Sequence, residues 1–349
     1  MLISNKFQQS QADPCLYVKG EWPIICYLLI YVDDILVITQ SQDTVDEVLL
    51  MLNTHFETKN LGNVCHYLGL EINQESNGHF SICQSSYITK VVNENNLSSA
   101  KGSEMALSPS YMKGGGNDTL LLENSRYQKV IGCLLFIAVN TRPDISASIS
   151  ILARKVSKPN QEDWNELKRV MRYLKTTVHS KLVLSNDAAD SFNFQGFADA
   201  DWAETRIDRK SNSGYVFLFN GSAVSWCCRK QSCVSLSSTE AEYIALTEAC
   251  KEVKWFLQLF ADLNHPIKDP ITIWEDNQSC LKLIDSEKIN CRTKHIDIKF
   301  HFIRDYAEHK IVRFKYCASE EMVADLLTKP LSSPRLKKLR RMCSIADRE

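Results

Sequence analysis

Residues 214–228 read GYVFLFNGSAVSWCC, which is two apolar runs joined by Asn220-Gly221. An Asn-Gly pair between such runs is the strongest short-range signal for a β-hairpin. The stretch therefore predicts two antiparallel strands, at 214–219 and 223–228.

The segments on either side extend this hairpin into a compact α/β unit. A long helix is predicted at 235–263, and it opens with two capping boxes, Ser237-x-x-Glu240 and Thr239-x-x-Glu242. Apolar spacing predicts the other elements. They are strands at 192–198, 271–276 and 311–316, and helices at 277–284, 297–306 and 320–328. The resulting order is β-β-β-α-β-α-α-β-α.

The overall composition sets limits on the class of protein. The chain has 349 residues, of which 44% are hydrophobic, with 41 Lys and Arg against 42 Asp and Glu. This length predicts about two domains, and the composition excludes a disordered or collagen-like chain. A net charge of -1 excludes a uniformly basic nucleic-acid-binding protein, although it permits a local basic surface.

The thirteen cysteines are scattered and form no CxxC pair. The chain opens without the charged and then apolar pattern of a signal peptide. We therefore expect reduced thiols in a cytosolic or nuclear protein. The most apolar run, residues 22–38, contains Asp33 and Asp34 and is shorter than the ~20 residues of a membrane helix. No membrane segment is predicted.

Four acidic residues of the α/β unit lie at strand ends or in helices. Asp199 closes the first strand, Glu242 lies one turn into the long helix, Asp276 ends the fourth strand, and Asp325 lies in the final helix. All four converge at one end of the sheet if the first and fourth strands are neighbours. Clustered carboxylates repel one another unless a cation neutralises them, and Mg²⁺ or Mn²⁺ suits such oxygen ligands. Two such ions can activate a water molecule and stabilise the leaving oxygen of a phosphodiester.

Each acid also has a structural interpretation. A lone Asp at a strand end is usually a turn residue, and a Glu in the first helical turn usually interacts with the helix dipole. The combined order of strand-Asp, hairpin, helix-Glu, strand-Asp and helix-Asp is more specific than any single acid. This order favours a shared metal site over separate structural roles for the four acids.

Longer motifs in the same unit carry a resemblance to a known family. They are Phe197-Ala-Asp-Ala-Asp-Trp-Ala203, Asp208-Arg-Lys-Ser-Asn-Ser-Gly-Tyr215, Val224-Ser-Trp226, Ser235-Leu-Ser-Ser-Thr-Glu-Ala-Glu-Tyr-Ile-Ala245, Glu275-Asp-Asn-Gln278, Lys294-His-Ile-Asp-Ile298 and Ala324-Asp-Leu-Leu-Thr-Lys-Pro330. With them, the segment resembles the RNase H domain of copia-type LTR retrotransposon Pol polyproteins. The resemblance implies an RNase H-like mixed five-stranded sheet with helices. It also implies metal-dependent cleavage of the RNA strand of RNA/DNA hybrids.

The resemblance further implies the metal ligands and the cofactor. The catalytic ligands would be Asp199, Glu242, Asp276 and Asp325, holding two Mg²⁺ or Mn²⁺ ions. The strand-end position favours Asp199 over its neighbour Asp201.

Glu240 and His295 are secondary candidates near this ligand set. Glu240 is two residues from Glu242 on a helix, so the two cannot share a face. His295 has two interpretations: it holds substrate or assists product release, or it is a structural or capping residue beside Asp297. Residues 316–321 differ from the Val-Pro-Thr-like segment that precedes the final helix in the family. This difference affects where Asp325 is expected to lie and not which residue is the ligand.

The front of the chain resembles the reverse transcriptase of the same polyproteins. The matching motifs are Ala12-Asp-Pro-Cys-Leu-Tyr17, Tyr31-Val-Asp-Asp34, Phe56-Glu-Thr-Lys-Asn-Leu-Gly62, Tyr67-Leu-Gly-Leu-Glu-Ile72 and Asn140-Thr-Arg-Pro-Asp-Ile145. Strands are predicted at 24–32 and 35–38, with Asp33-Asp34 at the turn, and a second strand pair at 67–72 and 79–83. Helices are predicted at 44–56 and 87–95.

Asp33 and Asp34 would, by this resemblance, hold the metal ions of nucleotide addition. That chemistry also needs an Asp from an earlier strand. The only acids before Asp33 are Asp13 and Glu21, and Asp13 belongs to a different motif. We therefore expect no polymerase activity from this chain alone. Two alternatives remain: a reverse transcriptase that is active only with the missing N-terminal palm and fingers, and a non-enzymatic transposon relic that binds nucleic acid.

The middle of the chain, 127–177, is predicted to be mostly helical, with a basic second half, and it matches the thumb and connection region. Both a solvated helix face and a track for a phosphate backbone fit this pattern. The candidate nucleic-acid-binding residues are Arg142, Lys168, Arg169, Arg172, Arg209 and Lys210.

These patterns divide the chain into a partial reverse transcriptase palm (1–107), a linker and helical region (108–185), an RNase H-like domain (186–331) and a basic tail (332–349). The tail carries Arg335-Leu-Lys-Lys-Leu-Arg-Arg341. It fits a nuclear-import or phosphate patch, but we interpret it as a frayed terminus. The expected partners are an RNA/DNA hybrid and other parts of the Pol polyprotein, in cytoplasmic virus-like particles, in the nucleus, or in both.

Overall fold

The computed structural model describes residues 1–76, 78–113, 119–185, 192–202, 209–285 and 297–347. The chain forms two compact units. The first comprises Met1–Ile72 with Lys251–Asp269, and the second comprises Asn73–Cys250 with Pro270–Glu349.

The first unit contains an antiparallel sheet followed by a helix. Its four strands, in sheet order, are β1 (Gln8–Gln9), β2 (Leu16–Glu21), β3 (Ile24–Tyr31) and β4 (Asp34–Thr39), and helix α1 (Gln42–Asn53) comes next. Leu28 of β3 and Leu52 of α1 are buried in a shared core. The β3–β4 turn consists of Val32 and Asp33, so the turn begins one residue earlier than predicted.

The prediction of one strand over 67–72 is wrong. These residues form a hairpin between β5 (His66–Tyr67) and β6 (Leu70–Gln74). Leu68 and Gly69 make its two-residue turn at φ values of 51° and 80°. A glycine adopts positive φ at no steric cost, so Gly69 marks a turn within what is otherwise an apolar run.

The prediction of a mixed five-stranded sheet is confirmed in the second unit. Its strands, in sheet order, are β11 (Ser222–Lys230), β10 (Asn212–Phe219), β9 (Phe194–Ala200), β12 (Ile271–Glu275) and β13 (Val312–Tyr316). The first three pair antiparallel, whereas β12 runs parallel to both of its neighbours. Asn220 and Gly221 form the β10–β11 turn at positive φ, as the hairpin signal predicts.

The helices after α1 precede this sheet in the chain or lie between and after its strands. They are α2 (Ser85–Glu94), α3 (Ser125–Asn140), α4 (Ser146–Ala153), α5 (Gln161–Thr176), α6 (Ser238–Asp262), α7 (Gln278–Asp285), α8 (Asp297–Glu308), α9 (Asp325–Thr328) and α10 (Ser333–Met342). The prediction of one helix at 320–328 is wrong, because a 3-10 turn at Ser319–Glu321 and the extended backbone of Met322 precede α9.

The expectation of a frayed basic tail is also wrong. Leu336, Leu339 and Ile345 are buried in the same hydrophobic core as α3, α5 and β10. Strand β14 (Ile345–Ala346) pairs with β8 (Lys181–Leu184), and β8 pairs with β7 (Phe80–Cys83). The tail is ordered because the leucines between its basic residues form an apolar helix face.

Two further findings concern the surface and the thiols. Among the described residues, no helix is long and apolar enough to cross a lipid bilayer. The described cysteines are free, and the buried ones are Cys26, Cys83, Cys250, Cys280 and Cys343.

Candidate active site at the end of the mixed sheet

Two parallel strands bring the first pair of predicted acids together. Strands β9 and β12 are neighbours, and Phe197 lies opposite Trp274. Continuing that register by two residues places Asp199 level with Asp276. Asp199 lies on β9, and Asp276 directly follows β12.

Helix α6 contributes the third acid. Ligand oxygens of Asp199, Glu242 and Asp276 all lie within 4.8 Å of one another. Asp199 and Glu242 are buried, with 0% and 6% exposure. The Glu242 Oε2 atom is buried and has no hydrogen-bond partner among the described residues. We call these three residues the acidic triad.

Gly214 explains how helix α9 reaches Asp199. It pairs with Asp199 across the β9–β10 ladder. A Cβ atom at Gly214 would lie 2.7 Å from Leu327 Cβ and 2.9 Å from Thr328 Cγ2, so only glycine lets α9 pack this closely. That packing allows the Thr328 hydroxyl to donate a hydrogen bond to Asp199 Oδ2.

The electrostatics of the acidic triad favour a bound cation. Burial, with repulsion from neighbouring carboxylates, raises the pKa of Asp199 to about 6 despite the attraction of Lys329. Burial and the charge of Asp199 raise the pKa of Glu242 well above its ordinary value. A divalent cation would relieve both effects, because it stabilises the ionised carboxylates.

The fourth predicted ligand, Asp325, is not in the group of oxygens that includes the acidic triad. Its Oδ1 atom lies 2.7 Å from Lys329 Nζ, and its Oδ2 atom lies 2.9 Å from Arg335 Nη2. The same Lys329 ammonium is 3.1 Å from Asp199 Oδ1. Asp325 is therefore linked to the acidic triad through one ammonium group.

The two neighbouring acids, Asp201 and Glu240, make structural contacts. Asp201 Oδ2 accepts a hydrogen bond of 2.8 Å from the Asn212 side chain. Glu240 Oε2 accepts one of 2.8 Å from the backbone N–H of Leu236, and its own N–H donates to Ser237 Oγ. The first contact ties β9 to β10, and the Glu240 contacts cap the start of α6.

The structure adds Glu275 and Lys329 to the residues that sequence reasoning assigned. Glu275 is fully buried, and burial together with the charges of Asp199 and Asp276 raises its pKa well above its ordinary value. Its Oε1 accepts a hydrogen bond from Asn277 N–H at 3.0 Å. The signal for Lys329 was its i,i+4 spacing from Asp325. For Glu275, only its adjacency to Asp276 could have drawn notice.

Arg142 does not belong to a nucleic-acid surface, so that expectation is wrong. It is 1% exposed, and its guanidinium donates to both oxygens of Asp144 at 2.9 and 2.8 Å. It also donates to the Thr177 carbonyl. A phosphate backbone cannot reach a group that is enclosed in this way.

The other predicted basic residues lie nearer the surface. Arg169 forms an ion pair of 3.0 Å with Glu166, and Lys210 donates to the Ser232 carbonyl at 2.6 Å. Arg209 is exposed, and Lys168 and Arg172 are partly exposed. His295 lies outside the described residues.

The candidate polymerase acids are in a different environment. Asp33 and Asp34 are both exposed at the tip of the β3–β4 hairpin. Within the described part of the chain, the acidic triad is the one group of three or more acidic, histidine or cysteine side chains whose potential ligand atoms all lie within 4.8 Å of one another.

Comparisons with known proteins place the chain in a class and then in a family. Residues 1–109 match the family model for reverse transcriptase (RNA-dependent DNA polymerase), so the chain joins a reverse transcriptase segment to the mixed sheet that carries the acidic triad. It is 32% identical, over 93% of its length, to the retrovirus-related Pol polyprotein from transposon TNT 1-94 of Nicotiana tabacum. It is 31% identical, over 95% of its length, to that from transposon RE1 of Arabidopsis thaliana. The chain belongs to the Pol polyproteins of copia-type retrotransposons.

The chain spans only 25% and 22% of the lengths of these two relatives. It is also 32% identical to the putative transposon Ty5-1 protein of Saccharomyces cerevisiae, over 71% of this chain and 80% of that protein.

Two solved structures resemble parts of the chain. One is LC11-RNase H1 in complex with an RNA/DNA hybrid, with 16% identity over 39% of this chain and 94% of that chain, and a TM-score of 0.31. The other is the foamy viral protease-reverse transcriptase in complex with dsDNA, with 13% identity over 84% of this chain and 55% of that chain, and a TM-score of 0.42.

Proposed function

We propose that the chain is a retrotransposon-derived ribonuclease H that cleaves the RNA strand of RNA/DNA hybrids with Mg²⁺ or Mn²⁺. The observation that carries the proposal is the acidic triad, whose three carboxylates lie within 4.8 Å of one another at the end of the mixed sheet. Membership of the Pol polyproteins supplies the substrate class.

The residues fit a divalent cation for two reasons. The donor set consists of carboxylate oxygens, which are the ligands that Mg²⁺ and Mn²⁺ prefer. The buried Oε2 atoms of Glu242 and Glu275 have no hydrogen-bond partner among the described residues, and such atoms are costly unless a cation or a donor satisfies them. When bound, ions of this kind activate water and stabilise the leaving oxygen of a phosphodiester.

The protein would position these groups rigidly. Strands β9 and β12 fix Asp199 and Asp276, α6 fixes Glu242, and the Thr328 hydroxyl orients Asp199. We propose Asp325 as the fourth ligand, reached when Lys329 releases it. Recognition of the hybrid would rest on its shape, its phosphates and its 2′-hydroxyl groups.

Substrate contacts would come from the basic residues that are at least partly exposed. We keep Arg209, Lys210, Lys168, Arg169 and Arg172 as candidates for phosphate contacts, with an RNA/DNA hybrid and other Pol segments as partners. The functional segments stay as proposed from sequence, at 1–107, 108–185, 186–331 and 332–349. The site of action would be cytoplasmic virus-like particles, the nucleus, or both.

Cleavage of a labelled RNA/DNA hybrid tests the proposal. The full chain should cut the hybrid with Mg²⁺ and not with EDTA, and it should leave single-stranded and duplex RNA intact. Asp276→Asn should abolish cutting, whereas the exposed Asp305→Asn on α8, in the same unit, should leave it unchanged. Cutting that survives Asp276→Asn would overturn the assignment, and no cutting by folded wild-type protein would favour the relic that only binds nucleic acid.

A second candidate function is reverse transcription with a segment supplied from outside this chain. It is favoured by the match of residues 1–109 to the reverse transcriptase model and by Asp33 and Asp34 at a hairpin tip. We expect no RNA-templated DNA synthesis by this chain alone and synthesis after extension with the upstream palm and fingers. Synthesis by the extended protein carrying Asp34→Asn would contradict the role of the hairpin.

A further inference from the structure

We propose that Lys329 is a built-in counter-cation of the acidic site, and that its ammonium group competes with a divalent cation for Asp199 and Asp325. The inference rests on the site of the proposed function. It assigns this lysine a positioning role that controls how tightly the acids hold a metal ion.

The geometry aims two carboxylate oxygens at one ammonium group. Lys329 Nζ is 3.1 Å from Asp199 Oδ1 and 2.7 Å from Asp325 Oδ1. The other oxygen of each acid is already engaged, because Thr328 donates to Asp199 Oδ2 and Arg335 donates to Asp325 Oδ2. The two Oδ1 atoms therefore converge on the same cation.

The charge balance explains why a cation is needed there. Asp199 belongs to the acidic triad, and buried Glu275 adds a further carboxylate beside it. Like charges at this spacing destabilise one another unless an opposite charge compensates. Lys329 supplies one positive charge, whereas a divalent ion supplies two at the same carboxylates.

The position of Lys329 in the chain allows its side chain to leave. It directly follows α9 as its C-cap residue, with an extended backbone at φ -127° and ψ 144°. Its side chain is 37% exposed, whereas Asp199 is fully buried. A lysine on a flexible four-carbon stem can turn toward solvent without a change in the backbone. The acids stay in place while the ammonium is exchanged for the ion.

The experiment measures Mn²⁺ binding and thermal unfolding of the full chain after metal removal with EDTA and dialysis. Lys329→Met should bind Mn²⁺ at least about fivefold more tightly than wild type, because a competing positive charge is lost. Its metal-free form should unfold at a lower temperature, and Mn²⁺ should stabilise it more than it stabilises wild type.

Lys338→Met is the matched control. Lys338 is 44% exposed and forms an ion pair of 2.5 Å with Glu321, so its loss removes one comparable surface pair from the same unit. Its Mn²⁺ affinity should equal that of wild type. Lys329→Arg retains the charge and should also stay close to wild type, and comparing it with Lys329→Gln decides the question if Lys329→Met does not fold.

Hybrid cleavage by the same proteins separates the two proposals. Equal Mn²⁺ affinity in Lys329→Met and Lys338→Met would overturn the counter-cation role, even if wild type cuts the hybrid. Tighter Mn²⁺ binding by Lys329→Met, together with no hybrid cleavage by folded wild type, would support the role and overturn the ribonuclease assignment alone.

Discussion

Two buried aspartates in the second unit, Asp144 and Asp199, have pKa values shifted in opposite directions. Asp144 is buried, yet the charge and hydrogen bonds of Arg142, with the charge of Arg340, outweigh burial and lower its pKa to about 2. For Asp199, burial dominates and raises the pKa to about 6. Both acids are almost fully enclosed, so burial alone does not set the direction.

The difference lies in the number of positive groups around each acid. Asp144 has two guanidinium groups, and Tyr173 also donates to it at 2.5 Å. Among the described residues, one ammonium group, that of Lys329, forms an ion pair with the acidic triad, at Asp199 Oδ1. A compensated carboxylate is part of the scaffold, whereas an under-compensated cluster has the capacity to take up a cation.

The largest effect is expected at the compensated site. Asp144→Asn should lower the free energy of unfolding by about 3–5 kcal/mol, because it leaves the buried Arg142 guanidinium without its anion, whereas Arg340 keeps its ion pair with Asp347. Urea unfolding at neutral pH measures this loss, with Asp305→Asn as the exposed control. If the free energy of unfolding falls no more than in Asp305→Asn, the Arg142–Asp144 ion pair does not stabilise the fold.

Glu242→Gln tests the acidic triad in the same way. It should reduce hybrid cleavage by at least about 100-fold, more than the loss of an outer-shell partner causes at a metal site. The free energy of unfolding in EDTA should not fall, because the variant removes a buried carboxylate that repels its neighbours. A destabilised Glu242→Gln protein would mean that this acid is a structural one.

The pH dependence of Asp144 follows from its lowered pKa. The pKa of Asp144 in the folded protein, about 2, lies below its value in the unfolded chain. Its contribution to the free energy of unfolding is therefore present above about pH 4 and is lost as the pH falls through 2. The difference in unfolding free energy between wild type and Asp144→Asn should therefore narrow by roughly 2 kcal/mol between pH 5 and pH 2. Urea titrations at both pH values test this, and a constant difference would contradict it.

The smallest effect is expected at the β3–β4 hairpin. Asp34→Asn should change the free energy of unfolding by less than about 0.5 kcal/mol, because the side chain is exposed. Its rate of hybrid cleavage should equal that of wild type. Reduced cleavage in this variant would show that the hairpin acids contribute to the ribonuclease reaction.

Local sequence signals predicted the elements that hold the acidic triad. The Asn220-Gly221 turn fixed the hairpin, and apolar alternation located the five strands. The turn and the strands depend on a few neighbouring residues, which is why sequence reasoning reached them. The proximity of Asp199 and Asp276 was expected only on the condition that the first and fourth strands are neighbours, and the pairing of β9 with β12 meets that condition.

The features that sequence reasoning missed depend on contacts between distant segments. Arg142 is a residue type that usually lies at the surface. Its burial depends on contacts with Tyr173 and Thr177, more than 30 residues later in the chain. The order of the tail depends on the pairing of β14 with β8, more than 160 residues earlier in the chain. The role of Lys329 depends on Gly214, since only its lack of a side chain brings α9 against β10.

Strand β14 limits how far the chain can be truncated for expression. A protein cut after Leu331 retains every residue of the acidic triad, yet it loses α10 and β14. The cut would uncover the apolar surface that Leu336, Leu339 and Ile345 now cover and leave one edge of β8 open. Unpaired strand edges and exposed apolar patches promote aggregation. The smallest fragment that carries the acidic triad without uncovering this surface therefore extends through residue 346 and begins early enough to include β7.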